Sequence, residues 1–381
     1  MKILTIISKL EMGGIEKTLL SCLPYFKSRG IEMHILCTVG GELDSEFIKQ
    51  GVTLIDFGKY KKPFFDAVKL YKVLKKGEYD VVHSRYGHTS GIFATIGKLL
   101  NIPVFVSVHN EKAMFMLNLV NKPIFSNFRM AYLTLHKHWT VKYATKIVGH
   151  SQANLSYFTK DWKCNYSKYT VVYNGVDFSK FENTALLNVD KSIQLETFVK
   201  GASKVLIHIG SFKEQKNHEF LINVFGKLNP IENNFKLILL GTGSLKSKIE
   251  EIALEKELQS HIYFVGMDSN ITPYLALSDI FFFPSLYEGF GNVLIEAQYM
   301  KLPICASGIA PHYEAAYKGY QKFFFDPSNE SEALNKLQNL ILKLNSGDLN
   351  FEIEEAYEFA KQFSIEKMAE NLVNLFEDSK I

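Results

Sequence analysis

Cysteine is scarce and scattered. Cys22, Cys37, Cys164 and Cys305 are the only four in 381 residues, and no two share the close spacing of a zinc site or a disulfide framework. Reduced thiols and a cytoplasmic setting are the expectation. No apolar run reaches the roughly 18 to 20 residues that span a bilayer. Met1 to Ser8 is soon interrupted by Lys9, which argues against a signal peptide and for a first strand. Internal repeats and low-complexity tracts are missing. No D-x-D carboxylate pair is present to hold a metal ion, and the glycine loop after the first strand lacks the third glycine of the dinucleotide fingerprint G-x-G-x-x-G. An NAD-linked oxidoreductase is therefore a poor reading. Nucleic acid is not among the expected partners.

What is present is a globular composition, 47% hydrophobic and 22% charged, long enough for two ordinary domains. The net charge of +3 conceals an asymmetry. Residues 1–180 carry 25 Lys and Arg against 13 Asp and Glu, and the remainder carries 18 against 27. A basic first half suits an anionic membrane surface. Strand candidates in that half are Ile3–Ile7, His34–Val39, Val81–Ser84, Val104–His109 and Ile147–His150. Helical stretches between them include Ile15–Lys27, Phe64–Lys76 and Ser90–Leu100. The pattern restarts with Val205–Ile209, Lys236–Leu240, Ile262–Val265, Ile280–Phe283 and Ile304–Ala306. Such alternation predicts parallel sheets covered by helices. The fold class is α/β, with two Rossmann-like domains in series and ligands in the cleft between them. The expected first domain is 1–176, a polar aperiodic linker fills 177–203, and the second domain is 204–361. An amphipathic pattern over Glu354–Glu377 (Phe359, Phe363, Met368, Leu372, Leu375) reads as one C-terminal helix.

Pro284-Ser285-Leu286-Tyr287-Glu288-Gly289-Phe290-Gly291-Asn292-Val293-Leu294-Ile295-Glu296 is the most informative segment. It follows the apolar run Ile280–Phe283 and leads into a helical pattern that stops at Pro303, so it reads strand, glycine loop, helix. Free amides at a helix start suit a phosphate. Glu288 and Glu296 suit the vicinal hydroxyls of a ribose or sugar ring, since one carboxylate accepts two hydroxyls. Phosphate, ribose and sugar together describe a nucleotide sugar. Met12-Gly13-Gly14-Ile15-Glu16-Lys17 repeats the arrangement after the first strand, where paired glycines allow close backbone approach. Ile209 to Leu221 does so again and carries Lys213 and Lys216. Ser107-Val108-His109-Asn110 and Asp80-Val81-Val82-His83-Ser84 end strands at the edge where ligands bind.

The paired-glutamate segment resembles the E-x7-E signature of retaining glycosyltransferases of the GT4 type, which have the GT-B fold, including bacterial exopolysaccharide, capsule and O-antigen enzymes. The similarity runs over nearly the whole chain and is strongest from Val205 to Ser307. The resemblance implies a C-terminal helix, about 362–381, that returns to the first domain. It implies donor contacts at Gly13, Gly14, Ser211, Lys216, Gly241, Val265, Gly289, Phe290, Gly291, Asn292, Val293 and Glu296. Glu288, His109 and Lys216 would serve the reacting centre: Glu288 on sugar hydroxyls, His109 on the donor sugar, Lys216 on the departing diphosphate. Ser211 stands where the family has arginine, with Lys213 as a substitute charge. His83, His88 and Ser151 are acceptor-side candidates. The implied activity is metal-independent transfer of a hexose, without cofactor, from a nucleoside-diphosphate sugar (UDP being the commonest donor nucleotide) to a saccharide or lipid-linked acceptor. A nucleotide-sugar epimerase of the same fold and a non-catalytic nucleotide-sugar-binding partner subunit are the alternatives.

Residues 111–145 fit the family least. Met114, Phe115, Met116, Leu117, Leu119, Val120, Lys122, Phe125, Phe128, Arg129, Met130, Tyr132, Leu133, Lys137, Trp139, Lys142 and Tyr143 interleave apolar groups with bases, and Glu111 is the only acid from 101 to 150. Both a peripheral membrane surface at the inner face of the membrane and ordinary core helices fit that composition.

Overall fold

The computed structural model describes residues 1–58, 63–109, 126–159, 166–182 and 189–380. The chain divides into two compact units, Met1–Asp177 with Ile365–Ile381, and Phe178–Ser364. In the first unit seven parallel strands form one sheet: β1 (Lys2–Ile6), β2 (Glu32–Cys37), β3 (Thr53–Asp56), β4 (Val81–Ser84), β5 (Val104–Val108), β6 (Lys146–Gly149) and β7 (Tyr169–Val171). Their order is β3-β2-β1-β4-β5-β6-β7. Successive side chains of a strand point to opposite faces, and here both faces are dry. Ile3, Val81, Phe105 and Val148 enter one core, while Leu4, Val82, Val104, Val106 and Ile147 enter another. Burial on both sides is the normal condition of parallel strands.

The second unit repeats the plan with five parallel strands: β8 (Lys204–Ile209), β9 (Phe235–Leu240), β10 (Ile262–Gly266), β11 (Ile280–Phe283) and β12 (Ile304–Ala306). Their order is β10-β9-β8-β11-β12. Every residue of β11, the run Ile280-Phe281-Phe282-Phe283, is fully buried. In each sheet the strand order reverses at one place, between β1 and β4 and between β8 and β11, and ligands of such sheets bind at that switch point beyond the carboxyl ends.

Both sheets match the expected α/β class, and three local differences have physical causes. The strands β3 and β7 escaped the sequence pattern because both are short edge strands, and neither has a fully buried residue. The stretch expected as an irregular linker, 177–203, is grouped from Phe178 onward with the second unit and contains helices at Ser179–Glu182 and Val189–Val199. Leu195 is fully buried, and Phe178 stacks on Tyr299 with ring centroids 4.0 Å apart. Residues 183–188 lie outside the described residues.

The single C-terminal helix is in fact two, Asn350–Lys361 and Ile365–Glu377. The break separates the aromatic side chains by destination. Phe359 and Phe363 pack on each other, and Phe363 on Phe290, within the second unit. Ile365, Met368, Ala369, Leu372, Val373 and Phe376 instead complete a core of the first unit, against Leu19, Cys22 and Phe26 of the helix Gly14–Ser28. Phe376 is fully buried, and its ring meets those of Phe105 and His83 at 4.9 and 5.3 Å. Phe376→Ala should cost about 3 to 5 kcal/mol, the usual range for emptying a core aromatic site. Denaturant unfolding of the full chain checks this, with the loss confined to the transition that the first unit dominates.

Candidate functional site

The second unit gathers charge at the carboxyl ends of β8 and β11. Beyond β8 the chain passes through Gly210, Ser211, Phe212 and Lys213 into a single turn, Glu214–Lys216, before the helix His218–Lys227. The loop beyond β11 is stitched to it. Leu286 donates its amide to the Gln215 carbonyl at 2.8 Å, and the Gln215 side chain donates to the Tyr287 carbonyl at 2.9 Å. These bonds set Lys216 beside Glu288, with Nζ to Oε1 at 2.5 Å. Glu288 is only 8% exposed, and the lysine also lies over the Phe283 ring at 4.6 Å. A buried pair of this kind is costly to break from one side.

Around the pair stand three histidines that the sequence pattern did not single out: His208, His218 and His312. All are buried, and Nε2 of each has no hydrogen-bond partner among the described residues. Nδ1 of His208 faces the Phe282 carbonyl at 3.0 Å, and Nδ1 of His312 faces the Ser307 carbonyl at 2.8 Å. The carbonyl contacts assign the proton of His208 and of His312 to Nδ1, which leaves Nε2 of each as a bare acceptor, whereas both ring nitrogens of His218 are without a partner among the described residues. Burial holds His218 and His312 down to about 4, with the Lys216 charge adding to it in both and Glu288 opposing it in His312. The rings stay neutral at pH 7 and offer lone pairs to hydroxyl groups.

Backbone geometry explains the glycines here. Gly291 precedes the helix Asn292–Tyr299 with φ 99°, a left-handed conformation that favours glycine. A Cβ on Gly241 would collide with the Gly210 carbonyl, so the loops after β8 and β9 run in backbone contact. Asn292 and Val293 form the helix start, Gly289 sits in the loop, and Phe290 is buried against Phe363. Val265 lies in β10, whose end residue Gly266 accepts from the Gly241 amide at 2.8 Å. Glu296, in the middle of that helix, is held by Lys180 at 2.5 Å, a partner supplied by the supposed linker. Ser211 adds no charge to this loop, and Lys213 is exposed.

The first unit gathers a different set. Gly13 and Gly14 open the helix Gly14–Ser28, as expected, but a Cβ at Gly13 would run into the carboxylate of Glu16. The helix start is thus covered by an acid from its own first turn. His109, at the end of β5, stacks on His150 with centroids 4.3 Å apart. Nε2 of both rings is buried and without a partner among the described residues. Arg85, immediately after β4, is 7% exposed and was missed by the sequence pattern. Burial, joined by the Arg85 charge, lowers His150 to about 3 and keeps His109 well below its ordinary value.

Of the acceptor-side candidates, two are buried and hydrogen-bonded within the first unit. His83 is 2% exposed, with Nε2 bonded to the Ser107 hydroxyl at 2.8 Å and its ring against Phe376. Ser151 is fully buried and accepts the Asn154 amide at 3.0 Å, capping the helix Gln152–Thr159. His88 lies 5.0 Å from the Phe158 ring, and burial lowers it to about 4. Asn110 and the candidates from Met114 to Phe125 lie outside the described residues.

Two family models match the chain, "Glycosyltransferase Family 4" over residues 12–180 and "Glycosyl transferases group 1" over residues 191–376. The chain belongs to the GT4-type glycosyltransferases of GT-B fold. The capsular polysaccharide biosynthesis glycosyltransferase CapH of Staphylococcus aureus is 29% identical over 344 residues, 88% of this chain and 88% of that protein. The Escherichia coli UDP-Gal:alpha-D-GlcNAc-diphosphoundecaprenol alpha-1,3-galactosyltransferase is 23% identical over 309 residues, 78% of this chain and 77% of that one. In fold, Anabaena HepE, solved in complex with UDP, is similar with a TM-score of 0.80 at 17% identity, over 99% of this chain and 100% of that chain.

The neutral buried histidines have a consequence for this glycosyltransferase. Unfolding frees each ring to bind a proton near its ordinary 6.5, whereas His150, His218 and His312 resist protonation down to about 3, 4 and 4 in the folded chain. The unfolded state therefore binds more protons in that window, so stability present above about pH 6.5 falls as pH drops toward 4. Each such histidine adds a slope of up to ~1.4 kcal/mol per pH unit. Chemical unfolding at pH 7.5 and pH 5 should show the loss, and equal midpoints would refute the burial of these rings.

Proposed function

We propose that this glycosyltransferase transfers a hexose with retention, and without a metal ion, from a UDP-sugar to a saccharide or lipid-linked saccharide in the assembly of a bacterial surface polysaccharide. The Lys216–Glu288 pair carries the reading. Departure of a nucleoside diphosphate builds negative charge on the leaving phosphate and positive charge at the anomeric carbon. Lys216 answers the first, together with the free amides at the Gly291–Asn292 helix start. Glu288, released from the lysine, accepts hydroxyl protons of the donor sugar, with the bare Nε2 atoms of His208 and His312 as further acceptors. Glu296 is assigned to the ribose hydroxyls, its Lys180 partner holding the carboxylate in place. Attack on the face the leaving group departs from, with the acceptor proton passing to the leaving phosphate, needs no separate protein base. The fixed cations take over the charge that a divalent ion neutralises elsewhere. UDP as donor nucleotide and a surface polysaccharide as destination rest on the printed names of HepE, CapH and the galactosyltransferase.

Incubation with a radiolabelled UDP-sugar panel in EDTA tests the whole reading. Label should pass to an acceptor with the anomeric configuration preserved, and Lys216→Ala should lower turnover on the order of 100-fold, as for loss of one preorganised stabiliser of charge. Isomerised donor without transfer would replace this reading with the epimerase.

A peripheral membrane position is the second part of the proposal. No helix among the described residues is long and apolar enough to cross a membrane. The basic first half and the exposed Tyr132 and Leu135 on the helix Ser126–Tyr143 support a shallow contact instead. Lys137 of that helix is buried over the Phe158 ring and is not part of such a surface. Flotation with anionic vesicles should exceed that with neutral ones and weaken with salt, because the attraction extends only roughly 8 Å at physiological ionic strength. Protein left in the soluble fraction with anionic vesicles at low salt would assign these residues to packing alone.

A further inference from the structure

The chain contains 43 Lys and Arg, yet only Arg29, Arg85 and Arg129 are arginine. One of the three is buried at the switch point of the first unit's sheet. Arg85 sits directly after β4, its backbone amide bonded to the Ile6 carbonyl of β1 at 3.0 Å. Its Nε and Nη2 atoms are both inaccessible to solvent, and neither has a hydrogen-bond partner among the described residues. Among the described residues no carboxylate forms an ion pair with it, and Glu16 acts on it only at longer range. Removing a guanidinium from water without a partner is strongly unfavourable. A structural role would be served as well by an apolar residue, so the placement points to a ligand that supplies the missing charge.

The identity of the unpaired atoms narrows the ligand. Nε and Nη2 form one edge of the guanidinium, with two N–H bonds running side by side. That edge matches two oxygens of a single oxyanion, and lysine cannot reproduce it. Within reach of its charge lie the stacked rings of His109 and His150, each with a buried Nε2 that has no partner among the described residues. His150 faces the Val172 carbonyl with Nδ1 at 3.0 Å, so its proton is on Nδ1 and its Nε2 accepts. A bidentate cation next to a bare imidazole acceptor describes a hydroxylated molecule bearing a phosphate.

We propose that Arg85, with His109 and His150 beside it, forms a phosphate-recognition subsite in the first unit that orients a phosphorylated, hydroxyl-bearing substrate. The phosphate comes from one of two sources, the acceptor or the nucleotide donor. An acceptor source rests on the glycosyl-transfer reading above, whereas the oxyanion site itself does not.

Three arginines make the test direct. In the full chain labelled with 15N-arginine, the Nε–H spectrum contains at most three resonances, and Arg85→Lys removes the one of interest. Inorganic phosphate should shift the Arg85 resonance in the parent protein and equally in Lys216→Ala, which excludes transmission from the second unit's phosphate site. UDP titrated separately tells the sources apart: an unmoved Arg85 resonance assigns the site to the acceptor, and a shift assigns it to the donor diphosphate. Arg85→Lys should weaken phosphate binding at least tenfold, read by the phosphorus line width, despite keeping the charge. An Arg85 resonance indifferent to both phosphate and UDP overturns the proposal. Thermal stabilisation of the parent by UDP is followed in parallel, and its absence would count against the donor reading without touching the phosphate result.

Discussion

Parallel strands buried on both faces impose the constraint on which the rest of this chain depends. Strands such as β4, β5 and β11 present no residue to solvent along their length, so charged groups are displaced to the loops at their ends. At the carboxyl ends the displaced groups are concentrated: Arg85 after β4, His109 after β5, His150 after β6, Lys216 after β8 and Glu288 after β11. The rigidity of the sheets then fixes these groups, because each loop is anchored by strands that have no alternative register without exposing a dry face. The hydrogen bonds from Gln215 to the Leu286–Tyr287 segment extend that rigidity one step beyond the strands.

That same constraint explains what the sequence disclosed. Ten of the twelve strands stand out as apolar or β-branched runs, and most of these are central strands in which double burial demands them. The exceptions, β3 and β7, are sheet edges, where half-exposed positions weaken the pattern. The glycine loop with Glu288 and Glu296 was readable because a left-handed turn at Gly291 and a helix start leave a local signature. Arg85, His208, His218 and His312 left none. A lone arginine or histidine carries no periodicity, and its burial is decided by strands distant in sequence. The scarcity of arginine against lysine was the one available signal for Arg85. The C-terminal break at Ser364 was hidden for another reason: Phe359, Phe363, Met368 and Leu372 keep a helical spacing across it while belonging to different cores.

The two units solve the problem of buried charge in opposite ways. In the second, both site carboxylates carry a lysine of their own, Lys216 on Glu288 and Lys180 on Glu296. Both lysines are already satisfied, so binding as proposed would be an exchange. On the proposed reading, an incoming phosphate would take Lys216 and sugar hydroxyls would take Glu288, each replacing one charge-assisted contact by another. Such an exchange keeps the empty site stable and makes selectivity depend on a ligand that offers both groups at the right separation. On that reading a bare phosphate would free the carboxylate without re-pairing it, and a neutral sugar would strand the lysine.

In the first unit Nε and Nη2 of Arg85 are left without a partner among the described residues, and the cost is carried by the folded chain until a ligand arrives. Burial keeps three histidines around Arg85 neutral, and its charge further opposes their protonation. The arrangement is self-consistent: a protonated ring would add repulsion to an already uncompensated guanidinium, whereas a neutral ring contributes a lone pair that a hydroxyl can use. An oxyanion bound at Arg85 would relax the repulsion and raise the proton affinity of His109 and His150 together. Occupancy of this pocket and the protonation of its histidines are therefore linked, and each reports on the other.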